Sequence, residues 1–115
     1  MARVLLVDDD RDGIELRRRI FEHGGHHVVA ALTSMQAREQ FHLDPPDSVI
    51  LDVRVPDLED GLALIREFRA ASREVQLVVL AGWCADLDGR SERTLVDLVL
   101  SKPVRSEVLL NAIRA

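Results

Sequence analysis

Cysteine is almost absent. Cys84 is the only one among 115 residues, so neither an intrachain disulfide framework nor a cysteine-built zinc site can form, and the expected compartment is a reducing cytoplasm. Long apolar runs are missing too. The opening MARVLLVDDD reaches carboxylates too soon for a signal peptide, and no stretch approaches the roughly 20 residues of a membrane span. Positive charge is in deficit, with 15 Lys and Arg against 20 Asp and Glu and a net charge of −5. The densest basic cluster, Arg17 to Arg19, falls within one helical turn flanked by apolar residues, which argues against nucleic-acid binding. That cluster reads as a solvated helix face, or else as a docking surface for an acidic partner. Repeats, low-complexity tracts and linker-like stretches are lacking as well, so residues 1–115 read as one domain. With 47% hydrophobic residues, a chain of this length buries well over half of its unfolded surface without a disulfide or structural metal.

What is present is an alternation of strand and helix patterns. Val4 to Val7 is a short, continuous apolar run ending in aspartates, as expected of a parallel strand buried on both faces whose end meets a polar site. A helix follows from about Asp12 to His23, with Ile14, Ile20 and Phe21 inward, and stops at Gly24 and Gly25. Val28 to Leu32 reads as a second strand, and Thr33 or Ser34 caps a helix carrying Met35, Ala37 and Phe41. Ser48 to Leu51 is a third strand ending on Asp52, and Leu62, Ile65 and Phe68 mark a third helix. Val75 to Ala81 gives a fourth strand and Val96 to Leu100 a fifth, with a final helix from Ser106. Between Asp86 and Leu95 the apolar positions are sparse and Gly89 interrupts, so the fourth helix is expected to be short or frayed.

Five strands alternating with five helices imply a doubly wound α/β fold, a five-stranded parallel sheet with helices on both faces. Ligands of such sheets sit at the carboxyl ends of the strands. That rule gathers Asp8 to Asp10, Asp52, the Ala81 end and Lys102 at one edge, although they are far apart in sequence. Clustered carboxylates repel unless a cation neutralises them, and an all-oxygen donor set suits Mg2+. A lysine beside them can hold an anion such as a phosphoryl group. Asp52, alone at the tip of an apolar strand, is the candidate nucleophile, while the adjacent Asp8 and Asp9 are placed to share the cation.

The stretches VLLVDDD, SVILDVRVPD and LVLSKPV resemble the three signature segments of receiver domains of two-component response regulators, in order and across the whole chain. The resemblance implies the flavodoxin-like strand order 2-1-3-4-5. It implies Asp52 as phosphoacceptor for a histidine kinase or phosphotransfer protein, and Mg2+ held by Asp8, Asp9, Asp52 and the backbone carbonyl of Arg54. Lys102 would contact the phosphoryl group, and the Lys102–Pro103 peptide is commonly cis in the family. Such a domain is not an enzyme in the usual sense, catalysing only its own phosphorylation and dephosphorylation. A downstream protein partner would meet the face of the fourth helix, fifth strand and fifth helix. No output segment is visible, so the expected setting is a fragment, a single-domain regulator or a receiver of the hybrid-kinase kind.

The sequence departs from the family pattern at both switch positions. Ala81 stands where a threonine or serine hydroxyl is usual, and Val99 where an aromatic ring is usual, so the expected conformational response is reduced or altered. By the same resemblance, Gly82, Arg54 and Trp83 would flank the pocket, the last two being bulky enough to pair with or cover the phosphoryl group. His23, His26, His27 and His42 lie away from the acids and read as exposed. Two alternatives carry different chemistry. One is a receiver-like interaction module that does not switch by phosphate. The other is a phosphatase of the haloacid-dehalogenase type, which the contiguous DDD and the lack of a cap segment disfavour.

Overall fold

A computed structural model describes residues 1–82 and 84–113, apart from the side chains of Cys84 and Ala85. The elements alternate as expected: β1 (Arg3–Val7), α1 (Arg11–His23), β2 (His27–Ala31), α2 (Ser34–Leu43), β3 (Ser48–Asp52), α3 (Leu58–Ala71), β4 (Gln76–Ala81), β5 (Leu98–Ser101) and α4 (Ser106–Ala112). All strand pairs are parallel and the order is β2-β1-β3-β4-β5.

The expectation of five helices is corrected at one place. The β4–β5 connection forms two 3-10 segments, Cys84–Leu87 and Ser91–Leu95, so the final helix is the fourth α-helix among the described residues. The physical reason is composition. Gly89 adopts a positive φ of 72° between the segments, and few apolar side chains are available to anchor a continuous helix. The surface expected from a fourth helix is therefore built from these turns beside β5 and α4.

Strand residues alternate between two cores because successive side chains point to opposite faces. Leu5, Val7, Val49, Leu51, Leu77 and Val79 meet Phe41 of α2 and Leu62, Ile65 and Phe68 of α3. Val4, Leu6, Ile50, Val78 and Leu80 meet Phe21 of α1 and Leu109 of α4. Phe41 and Phe68 stack with ring centroids 4.3 Å apart, joining α2 to α3. Each buried ring stabilises the fold by roughly 1.5–3 kcal/mol relative to exposure. Ile14 and Phe21 are buried as expected, whereas Ile20 is half-buried and Met35 lies on the solvent side of α2.

Boundaries are set by caps. The Thr33 hydroxyl accepts the Gln36 N–H, and the Asp57 carboxylate accepts the Asp60 N–H at the start of α3. After α1 the chain turns through Gly25 at φ 90°, a conformation that a side chain disfavours. Gly61 permits a close approach instead: a Cβ there would fall 1.6 Å from the Val53 carbonyl oxygen, so α3 lies directly on the backbone that follows Asp52. The Val55–Pro56 and Lys102–Pro103 peptides are cis.

Candidate functional site

The carboxyl ends of β1, β3, β4 and β5 converge, and backbone bonds extend the ladder past each tip. The Asp8 N–H donates to the Ala31 carbonyl at 3.1 Å, the Val53 N–H to Leu80 at 3.2 Å, and the Lys102 N–H to Ala81 at 2.9 Å. The side chains that leave these tips are thus aimed by sheet register, not by flexible loops.

Lys102 is the hub. Its Nζ donates to Oδ2 of Asp52 at 2.5 Å and stands 4.0 Å from Oδ2 of Asp8. Oδ1 of Asp52 accepts the Arg54 N–H at 3.0 Å, so both oxygens of this carboxylate are fixed. Asp8 is buried, with 3% of its side chain exposed, whereas Asp9 and Asp10 are exposed. Asp8 nevertheless keeps company suited to a charge: the Asp10 N–H donates to its Oδ1 and an Arg17 guanidinium nitrogen to its Oδ2.

The donor chemistry fits a hard divalent cation, because Asp8, Asp9 and Asp52 offer carboxylate oxygens only and two of them already turn to one ammonium. The pocket is not a ready-made cage. Among the described residues no three His, Cys, Asp or Glu side chains stand grouped tightly enough to enclose a metal as placed. Lys102 and Arg17 hold the neutralising positions.

Around this centre, Ala81 is fully buried and presents a methyl group at the end of β4, and Gly82 is exposed. Val99 is half-buried and packs on the α2–α3 side of the sheet. The Arg54 guanidinium, expected near a phosphoryl group, instead forks onto Asp86 through Nε at 3.0 Å and Nη2 at 2.8 Å. The reason is that the buried Asp86 carboxylate presents both oxygens to the planar fork. This pair, with a smaller contribution from Asp52, raises the Arg54 pKa above its ordinary value. Trp83 lies outside the described residues, as does the Cys84 side chain.

Two assignments change. Arg17 does not belong to a solvated face, since only 17% of its side chain is exposed and it enters the acidic pocket. Helical periodicity gives no signal for it, because a long side chain can leave the face on which its Cα lies. His26 is half-buried, accepting the Ala2 N–H on Nδ1 at 3.0 Å, while His23, His27 and His42 are exposed.

A doubly wound sheet whose carboxyl edge carries an aspartate cluster joined by a lysine defines a signalling class, the receiver domains of two-component systems. The chain belongs to the response regulator receiver domain family, whose model matches residues 4–114. It is 37% identical over 118 aligned positions to the response regulator MprA of Mycobacterium leprae, covering 98% of this chain and 50% of that protein. The chain thus spans about half the length of the curated relatives it matches. A receiver domain from Clostridium thermocellum superposes with a TM-score of 0.86 at 26% identity, covering 97% of this chain and 90% of the other. A CheY-like receiver domain from Methylobacillus flagellatus gives 0.83 at 25%, covering 98% and 99%. No helix among the described residues is long and apolar enough to cross a membrane.

Proposed function

We propose that this chain, residues 1–115, is a phosphoacceptor receiver domain that takes a phosphoryl group from a histidine kinase or phosphotransfer protein onto Asp52. The observation that carries the reading is the ammonium of Lys102 held between Asp52 and Asp8 at the strand tips. In the transfer, a carboxylate oxygen of Asp52 forms a bond to phosphorus as the bond from phosphorus to the donor imidazole nitrogen breaks. The electron pair leaves with the imidazole. Protein catalysis of such transfers is mainly positioning and charge neutralisation. Both are supported here, because Oδ1 of Asp52 is steadied by the Arg54 N–H and Lys102 can follow the charge from Oδ2 to a phosphoryl oxygen.

Asp8, Asp9, Asp52 and the Arg54 carbonyl would hold Mg2+, which when bound neutralises phosphoryl oxygens. The domain acts on itself and turns over no separate substrate. The response to phosphorylation is reduced or altered, since the buried Ala81 methyl and the core-packed Val99 side chain carry no hydrogen-bonding group to offer a phosphoryl oxygen. Arg54 and Trp83 set the lifetime of the acyl phosphate. Arg54 does so by leaving Asp86 for the phosphoryl oxygens. Signal passes to a protein partner across the surface of the 3-10 turns, β5 and α4, in the cytoplasm.

The test is intact mass after incubation with magnesium and acetyl phosphate, comparing wild type with Asp52→Asn. A phosphate-sized gain in the wild type alone is expected. No gain under conditions that label an ordinary receiver would favour the second reading, a phosphate-independent interaction module. That reading draws its support from the absence of the switch hydroxyl at Ala81.

A further inference from the structure

The acidic pocket contains a second cation besides Lys102. Arg17 reaches from α1 to the strand tips and its Nη1 donates to Oδ2 of Asp8 at 2.6 Å. Both side chains are withdrawn from solvent, with 17% of Arg17 and 3% of Asp8 exposed. Oδ1 of Asp8 accepts the Asp10 N–H at 3.0 Å, so the carboxylate is engaged at both oxygens. A Cβ at Gly13 would fall 2.9 Å from an Asp10 carboxylate oxygen and 3.6 Å from the Arg17 guanidinium, so it would press on the Asp10 side chain and leave the arginine at ordinary contact distance. Lys102 Nζ stands 4.0 Å from the same Asp8 oxygen.

We propose that Arg17 is an internal counter-cation of Asp8 that competes with divalent metal for this carboxylate. Metal binding is then an exchange, in which the guanidinium yields Asp8 before the metal takes it. The proposal rests on the reading of Asp8, Asp9 and Asp52 as the metal-holding group. Electrostatics favours it directly. The carboxylates of Asp8, Asp9 and Asp52 carry three negative charges, and Lys102 and Arg17 offset two of them. An incoming dication therefore meets one net negative charge where it would meet two without Arg17. The competition does not fade with pH, because a guanidinium stays protonated throughout the working range. The contact is a single charge-assisted hydrogen bond to one oxygen, so the exchange breaks one bond and leaves the Asp10 N–H on the other. Arg17 is thus a positioning residue that keeps the resting pocket satisfied and makes its readiness for phosphoryl transfer depend on the concentration of free metal.

The experiment is calorimetric titration of magnesium chloride into wild type, Arg17→Met and Arg17→Lys, each paired with thermal melts with and without the metal. Arg17→Met keeps the apolar stem and removes the charge. It is expected to bind magnesium roughly ten- to a hundredfold more tightly, the range spanned by a lost hydrogen bond between charged groups. Its melting temperature without metal falls, and its gain on adding metal exceeds that of wild type. Arg17→Lys stays nearer to wild type. Arg17→Gln, which keeps a polar head without the charge, moves the affinity the same way and serves where Arg17→Met fails to fold. Equal or weaker affinity in a folded variant overturns the proposal and leaves the metal reading standing. No magnesium binding by wild type or variants overturns both.

Discussion

Replacing Gly61 by alanine should be the most damaging single methyl addition near the site. The added carbon would sit 1.6 Å from the Val53 carbonyl oxygen, against about 3.3 Å for the closest ordinary carbon–oxygen approach. The amino-terminal turn of α3 must therefore lift by about 1.7 Å. Leu62, Leu64, Ile65 and Phe68, all buried on that helix, would separate from the sheet. Overpacking of this kind costs about 3 kcal/mol. Against a total of roughly 6–17 kcal/mol for a chain of this length, the protein still folds. Its urea midpoint should fall by about 2 M and its melting temperature by about 10–15 °C. Gly82→Ala is the control, because a Cβ there meets nothing within 4 Å. The functional consequence follows from sequence adjacency: Val53 is next to Asp52, so lifting α3 drags the carboxylate from Lys102 and lowers acyl-phosphate yield. A Gly61→Ala protein with the midpoint of the Gly82→Ala control would refute the reasoning.

Three further outcomes are expected. Lys102→Met removes the ammonium shared by Asp52 and Asp8, so phosphate incorporation measured by intact mass should drop at least about tenfold while the far-ultraviolet circular dichroism stays native. Arg54→Ala leaves the buried Asp86 carboxylate without its fork, which should speed amide exchange across the 3-10 segments relative to the sheet and change the acyl-phosphate lifetime. An unchanged lifetime would remove Arg54 from the account of hydrolysis. The Glu92 pKa lies below its ordinary value of 4.5, held down by a backbone N–H and by the Arg66 guanidinium. The stabilisation it gives is full above that value and is lost as pH falls through the lowered one. Glu92→Gln should flatten that part of an acid-unfolding curve, read by circular dichroism.

The sheet was legible because short apolar runs ending on charged residues, as at Val7–Asp8 and Leu51–Asp52, suit buried parallel strands and little else in an alternating chain. The candidate site followed from the same runs, since their ends share an edge. Strand starts were less legible. Val75 and Val96 continue apolar runs, yet the Val75 N–H turns to the Ser72 hydroxyl, and the Asp97 carboxylate accepts the Leu77 N–H just before β5 begins. The fourth helix failed for a reason already visible, too few apolar anchors around Gly89. Arg17 is not legible because periodicity ranks residues by helix face, and a long side chain can leave the face on which its Cα lies. The Arg54–Asp86 pair joins residues 32 positions apart and carries no periodic signal at all.

The alternation of strand side chains between two cores also bears on how this chain can drift in evolution. Leu5 and Leu6 are covalent neighbours, yet each answers to different partners across opposite faces of the sheet. Phe41 and Phe68, 27 positions apart in the numbering, share one stack. Accepted changes should therefore come in pairs that are remote in sequence and be uncorrelated between adjacent strand positions. Two half-independent mosaics of substitution would then be woven through the same five strands.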